Sequence, residues 1–338
     1  MKKFWIPAII LLFVGLIVVW QLLKDRNPLK VNVSHIKLEI KIERFDKLLN
    51  NKNIPIEERI QKINERYDLF FEAFNYDIIS IGGLENRSYS NYLQTFLDDY
   101  AVREAFRAVD SVFSDVSRLE KELTGGFKHY KYYYRDEEIP RVIAFVAGFN
   151  HSIVTIEGFV GIGLDKYLGS GCELYNLMQI PDYAQRQMVP ERIPFDVMIA
   201  LAQEKYPYDT ENETLLGRMI YEGKLLYFLD AMYPDAELSL KHAYREEDMQ
   251  YCRRHERDMW AYIIDKKLLF ETDYLTIRNF CSNSPYTKDF GLGSPPRVGN
   301  YLGWRIVSEY AKNNKVSVTD IMKEADNQKI LSQSRYQP

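Results

Sequence analysis

Strand-forming pattern is confined to a short part of this chain, and that confinement limits the fold more than any other feature. Val142–Val146, Ile153–Ile156 and Phe159–Leu164 are three short β-rich runs separated by turns, the centre of a small sheet. Val33–Ile42 alternates apolar and charged residues, the pattern of a half-buried strand. Elsewhere the spacing is helical. Ile56, Ile60, Ile63, Tyr67, Phe70, Phe71 and Phe74 form one stripe after Pro55, a residue suited to a first helical turn. Helices are predicted over Tyr92–Phe113 and Val116–Leu123, with Gly125-Gly126 breaking the pattern. Beyond Pro194 the chain reads as almost wholly helical: Phe195–Tyr206, Thr214–Met232, Arg245–Phe270, Gly299–Lys312 and Val318–Glu324. No internal repeat or long linker divides it. Residues 33–338 therefore read as one α+β domain, mostly helical, with its small sheet in the N-terminal half.

Ahead of that domain, Phe4–Leu23 is apolar except for Gln21. Twenty residues at 1.5 Å each span about 30 Å, the thickness of a bilayer core. Residues 1–3 form a short tail carrying Lys2 and Lys3, and 24–32 a polar linker. The apolar run ends Val19-Trp20-Gln21-Leu22-Leu23, without small residues for cleavage, and no cysteine precedes Cys172. We expect an uncleaved transmembrane anchor. Lys24, Arg26, Lys30 and Lys37 outnumber Lys2 and Lys3, so basic residues alone do not orient it. The 338 residues are 46% hydrophobic and 27% charged, which excludes a disordered chain. A net charge of -4 gives no footprint for nucleic acid, and none is expected as a partner.

Glu222 sits in the apolar stretch Leu215–Phe228 and is followed by Gly223, which would leave room beside its carboxylate. In some zinc peptidases a glutamate in such a helix is the third metal ligand, following an H-E-x-x-H helix. The upstream helix here, Phe195–Tyr206, has no histidine. His255-Glu256-Arg257-Asp258-Met259 approaches the motif but places Met259 where the second imidazole should be. A buried glutamate paired with a nearby Lys or Arg is the plainer reading of Glu222, and no metal or cofactor is expected. Gly161–Gly169 fails as a phosphate loop because Lys166 stands where a glycine is required; Asp165 there suits a turn amide. The run Tyr130–Arg135 packs at a helix end or stacks on a ligand.

Four segments together carry a resemblance: Gly161–Gly169, Leu215–Asp230, Ser294–Val307 and Ile330–Pro338. In this order they resemble the GldB family of gliding-motility lipoproteins of Bacteroidetes, itself similar to predicted zinc-dependent proteases. The resemblance implies a zincin-like fold without its metal, attached to the cell envelope, with partners in the motility and type IX secretion machinery. Because the lipid-bearing cysteine is missing, an inner-membrane anchor with the domain in the periplasm takes its place. The expected activity is that of a non-catalytic scaffold, with no catalytic residue assigned. A cleft is expected below Glu222, and the candidate residues are Glu157, Asp165, Glu222, Lys224, Glu256 and Arg297. The alternatives are an envelope hydrolase working through carboxylates around Glu222, or a peptide- or glycan-binding module.

Overall fold

The structure, a computed structural model, describes residues 27–338; the expected anchor at Phe4–Leu23 lies outside them. Among the described residues no helix is long and apolar enough to cross a membrane. The chain begins with β1 (Ile42–Arg44), α1 (Phe45–Leu49) and α2 (Ile56–Ala73). Next come α3 (Tyr89–Asp98), α4 (Tyr100–Val112) and α5 (Ser117–Tyr133). Then β2 (Arg141–Phe145), β3 (Ile153–Ile156) and β4 (Phe159–Gly163) complete a sheet of order β1-β2-β4-β3. β1, β2 and β4 run parallel, with Ile42 opposite Val142 and Ile143 opposite Gly161, while β3 is antiparallel to β4. Glu157 and Gly158 make the two-residue turn between β3 and β4, where Gly158 takes φ +76°, which a side chain would disfavour.

The rest is helical: α6 (Glu173–Leu177), α7 (Asp182–Gln185), α8 (Ile193–Lys205), α9 (Leu215–Met232) and α10 (Leu238–His242). They are followed by α11 (Glu246–Asp265), α12 (Tyr274–Cys281), α13 (Val298–Asn314), α14 (Val318–Lys323) and α15 (Asn327–Ser334). The protein is thus α+β, mostly helical with a four-stranded sheet. β2 is buried on both faces, which is why its apolar run does not alternate. Phe45 lies at the centre of one aromatic cluster beside the sheet, with ring centroids 5.3 Å from Tyr67 and Phe70 and 4.8 Å from Phe74.

Four sequence expectations need correction. The strand expected over Val33–Ile42 pairs with a neighbour only at its end, because side chains of α5 occupy its amides. The N–H of Ile40 donates to Thr124 Oγ1 (2.9 Å) and that of Ile42 to Glu120 Oε1 (3.0 Å). The helix expected over Tyr92–Phe113 is two, divided at Asp99, whose extended backbone and carboxylate cap α4 (Val102 N–H, 3.1 Å). The helix expected to reach Phe270 stops at Asp265, after which Lys267 turns left-handed. Gly125-Gly126 does not break α5. A methyl on Gly126 would lie 2.1 Å from the Tyr233 hydroxyl, so this glycine makes room for α9's end and Gly125 merely faces open space.

α9 is apolar nearly all round and correspondingly buried along most of its length. α8, α12, α13 and α14 all pack on it. Its crossing with α13 is a backbone contact: a Cβ on Gly303 would lie 1.7 Å from the Met219 carbonyl oxygen, and one on Gly223 would lie 2.3 Å from the Gly303 carbonyl carbon. Gly223 therefore makes room for α13, not for a ligand of Glu222. We predict that Gly303→Ala destabilises the protein by about 3 kcal/mol or more, since the contact is with backbone that cannot step aside. Gly125→Ala, in the same experiment, should stabilise it by about 0.5–1 kcal/mol. Denaturant titrations of the two variants read both signs.

Candidate functional site

The six candidate side chains are distributed through the fold. Glu157 is exposed in the β3–β4 turn. Asp165, just after β4, is fully buried; its Oδ2 accepts from the N–H groups of Ala147 (3.2 Å) and Phe149 (2.6 Å), and its Oδ1 has no partner. Burial pushes its pKa up to about 6, against the pull of those amides. Lys224 donates from the opposite side of α9 to the Glu324 carbonyl at the end of α14, and burial brings its pKa down to about 8. Glu256 on α11 accepts from Tyr301 (2.8 Å), Arg305 (2.8 Å) and Tyr336 (2.7 Å), so this carboxylate binds α11 to α13 and the C-terminal segment.

Glu222 and Arg297 are brought near each other by the α9–α13 crossing. Glu222 Oε1 pairs with Arg218 Nε one turn earlier (3.1 Å), and Oε2 accepts from Asn300 Nδ2 (3.4 Å). Burial raises its pKa, and Arg218 and then Arg297 pull it back. Glu222 lines neither the groove above Arg192 nor the one beside Lys224, and the space at the neighbouring Gly223 is taken by the α13 backbone. The H-E-x-x-H-like stretch is a helix face: His255 is half exposed, with its ring 4.4 Å from that of Tyr251. The tyrosine run packs inward at Tyr130 and Tyr134, whose rings stack on each other at 4.8 Å beside Phe228 and Tyr206. Among the described residues no group of three or more His, Cys, Asp or Glu stands where it could hold a metal ion.

What the sequence reading missed is a pair of arginines at the end of α10, Arg192 buried and Arg297 partly buried. Arg192 Nη1 donates to the carbonyls of Leu240 and Lys241 (3.3 Å to the latter). Arg297 Nη2 donates to those of His242 (3.2 Å) and Ala243 (3.0 Å). Four successive carbonyls at the helix's negative end are thus met by two cations, the Leu240 carbonyl accepting also from the Ala243 N–H at 3.1 Å. Ala243 is left-handed, which terminates α10 and turns these carbonyls toward the arginines. Arg192 also pairs with Asp196, which accepts from Tyr167 on its other oxygen (2.9 Å). Tyr244 lies beneath the Arg297 guanidinium at 5.5 Å and donates to Pro296 and Arg297 carbonyls (2.8 and 2.9 Å). His242 is enclosed by Tyr244, Tyr301 and Trp304. Its pKa falls to about 3, through burial first and then Arg297, Lys241 and Arg192. Lys241 itself is paired with Asp230 (2.5 Å), and Trp304 Nε1 donates to the other Asp230 oxygen (2.7 Å). Only the left-handed turn after a short helix, with arginines elsewhere to meet it, could have signalled this cluster, and arginine positions alone do not show where side chains point.

This is an α+β protein organised around a glycine-packed helix pair, its charged core groups spent on backbone carbonyls and on one another. The family model described as gliding motility protein GldB matches residues 26–338, and the chain belongs to that family. The family's lipoprotein designation places it with proteins of the cell envelope. No curated protein and no solved structure matches the chain.

Two buried groups set opposing pH dependences. Asp165 holds its proton in the folded state up to about pH 6, so the stability it contributes at low pH is lost as pH rises through 6. His242 stays neutral in the folded state down to about pH 3, so its contribution is present above the unfolded value of 6.5 and is lost as pH falls. Each slope is about 1.4 kcal/mol per pH unit between pH 4 and 6, and the two nearly cancel. As pH climbs through that window, Asp165→Asn should gain on the wild type and His242→Phe should lose on it. Thermal melts at pH 4, 5 and 6 report the divergence; parallel profiles would contradict it.

Proposed function

We propose that the protein is a membrane-anchored, metal-free and non-catalytic scaffold of the cell envelope, acting through protein contacts with the motility and type IX secretion machinery. The observation that carries this reading is the engagement of the candidate side chains. Asp165, Glu222, Lys224, Glu256 and Arg297 are all held in structural bonds, only Glu222 and Arg297 lie near each other, and Glu157 stands alone in an exposed turn. General acid–base chemistry needs two such groups facing one substrate position, within hydrogen-bond reach of it. We read the pair α8–α9 as the remnant of a peptidase-type helix pair: Glu222 occupies the second helix, and the first offers no imidazole to a metal. Phe4–Leu23 is taken as an inner-membrane anchor with residues 33–338 in the periplasm, working as one domain without a cofactor. The binding-module alternative draws on the groove of about 1260 Å³ beside Lys224, where Tyr206, Tyr208 and Tyr221 offer rings to a saccharide.

If the reading holds, Glu222→Gln keeps the Asn300 hydrogen bond, melts close to the wild type and restores function to a deletion strain. A normal melting temperature with no restored function would make Glu222 a functional group and overturn the scaffold reading. A phosphatase reporter fused after Pro338 should be active, as a periplasmic domain requires; an inactive fusion that is stably produced reverses the orientation.

A further inference from the structure

Two surface grooves meet at Tyr183, Ser284 and Pro285, each contributing to both. One, of about 600 Å³, has Arg186, Arg192 and Arg245 in its walls and Asp248 as its carboxylate. The other, of about 990 Å³, carries Arg278 and Lys288 and is lined by no carboxylate. Arg245 is already neutralised by a bidentate pairing with Asp248, at 2.8 and 3.0 Å. Arg186, Arg278 and Lys288 are exposed and have no carboxylate partner among the described residues. Arg192, only 6% exposed, forms the inner wall, and its Nε lacks any hydrogen-bond partner. Arg192 is itself paired with Asp196, and Lys241 behind it with Asp230, so the unpaired charge of the grooves is that of Arg186, Arg278 and Lys288. This concentration of cations stands out in a chain whose net charge is -4.

Between the cations the lining changes character. Leu275, 68% exposed, Pro285 and the rings of Tyr183 and Tyr286 supply apolar surface along the second groove. Gln187 from the first groove donates to Asn283 of the second at 2.9 Å, which ties the two walls together. Unpaired cations beside apolar surface in two adjoining grooves match an extended segment that carries both acidic and apolar side chains.

We propose that this joined groove is the docking site for an acidic, extended peptide segment of a partner protein, with the exposed Arg186, Arg278 and Lys288 as its charge contacts. The proposal rests on the scaffold reading and supplies the chemistry of its partner. A neutral saccharide is disfavoured because it would leave the unpaired cations unanswered, and nucleic acid because the cationic strip is short and the whole chain acidic.

The test uses the full chain in detergent and a fluorescein-labelled octapeptide of alternating Glu and Leu, read by fluorescence anisotropy. Expected are saturable binding that weakens steeply between 50 and about 200 mM salt, no binding of the Lys-Leu counterpart, and at least a tenfold loss in Arg186→Glu/Arg278→Glu. Lys62→Glu on α2 should bind as the wild type does. Equal affinity in the double variant, or displacement of the peptide by polygalacturonate at lower concentration than by unlabelled peptide, overturns the proposal. Complementation separates the two readings. If the double variant fully restores a deletion strain and Glu222→Gln does too, the groove assignment fails while the scaffold reading stands. If folded Glu222→Gln fails, the scaffold reading falls whatever the groove does.

Discussion

The contact between Gly223 and Gly303 is the constraint from which most of the helical half follows. With side chains at neither position, α9 and α13 meet backbone to backbone. That closeness fixes where everything else on α13 arrives. Arg297, at its start, reaches the carbonyls ending α10; Asn300, one turn in, reaches Glu222; Trp304 reaches Asp230, and Arg305 reaches Glu256. A wider crossing would move all four polar groups out of hydrogen-bond range together, leaving buried charges without partners. Such losses cost more than the contacts themselves gain, so the glycine pair acts as a register mark for the whole charged interior.

The charges in that interior are arranged for satisfaction more than for reaction. Arg192 and Arg297 divide four carbonyls between them, and Asp230 answers Lys241 and Trp304 at once. Burial moves Asp165, Glu222, Lys224 and His242 away from their usual proton affinities, and each movement is in the direction that disfavours charge. Perturbed groups of this kind often mark active sites, yet here each is bound to different neighbours: Asp165 to loop amides, Glu222 to Arg218 and Asn300, Lys224 to the Glu324 carbonyl. A perturbed affinity is a record of burial first and of function only when several such groups face one place.

Much of the fold was legible before any coordinates. The runs Val142–Val146, Ile153–Ile156 and Phe159–Leu164 became β2, β3 and β4 because short β-branched runs between turns have few other uses. The long periodic helices were legible for the same reason. α12 and α15 were passed over although Asp273 and Asp326 announce them as N-caps, with Thr276 and Lys329 N–H groups held at 2.8 and 2.9 Å. The glycines misled in both directions. Gly126 looked like a break and is a socket for Tyr233; Gly223 looked like space for a ligand and is space for a helix. In each case the deciding neighbour is distant in sequence, which local pattern does not carry. The site suffered in the same way, since Glu222 could be singled out from its apolar surroundings but the partners of Arg297 lie more than fifty positions upstream.

The first strand carries a consequence for how this chain comes to its final form. Ile42 pairs in parallel with Val142, across a hundred intervening positions that include five helices. A pairing so distant in sequence pays its loop-closure entropy before any sheet hydrogen bond repays it, and contact order of this kind slows folding. In the folded protein the α5 side chains Thr124 and Glu120 hold the amides of Ile40 and Ile42 at the entrance to β1. Those two residues lie about twenty positions nearer than the strand it pairs with. The same bonds that cut the strand short thus tie its leading edge to residues nearer in sequence than its partner in the sheet.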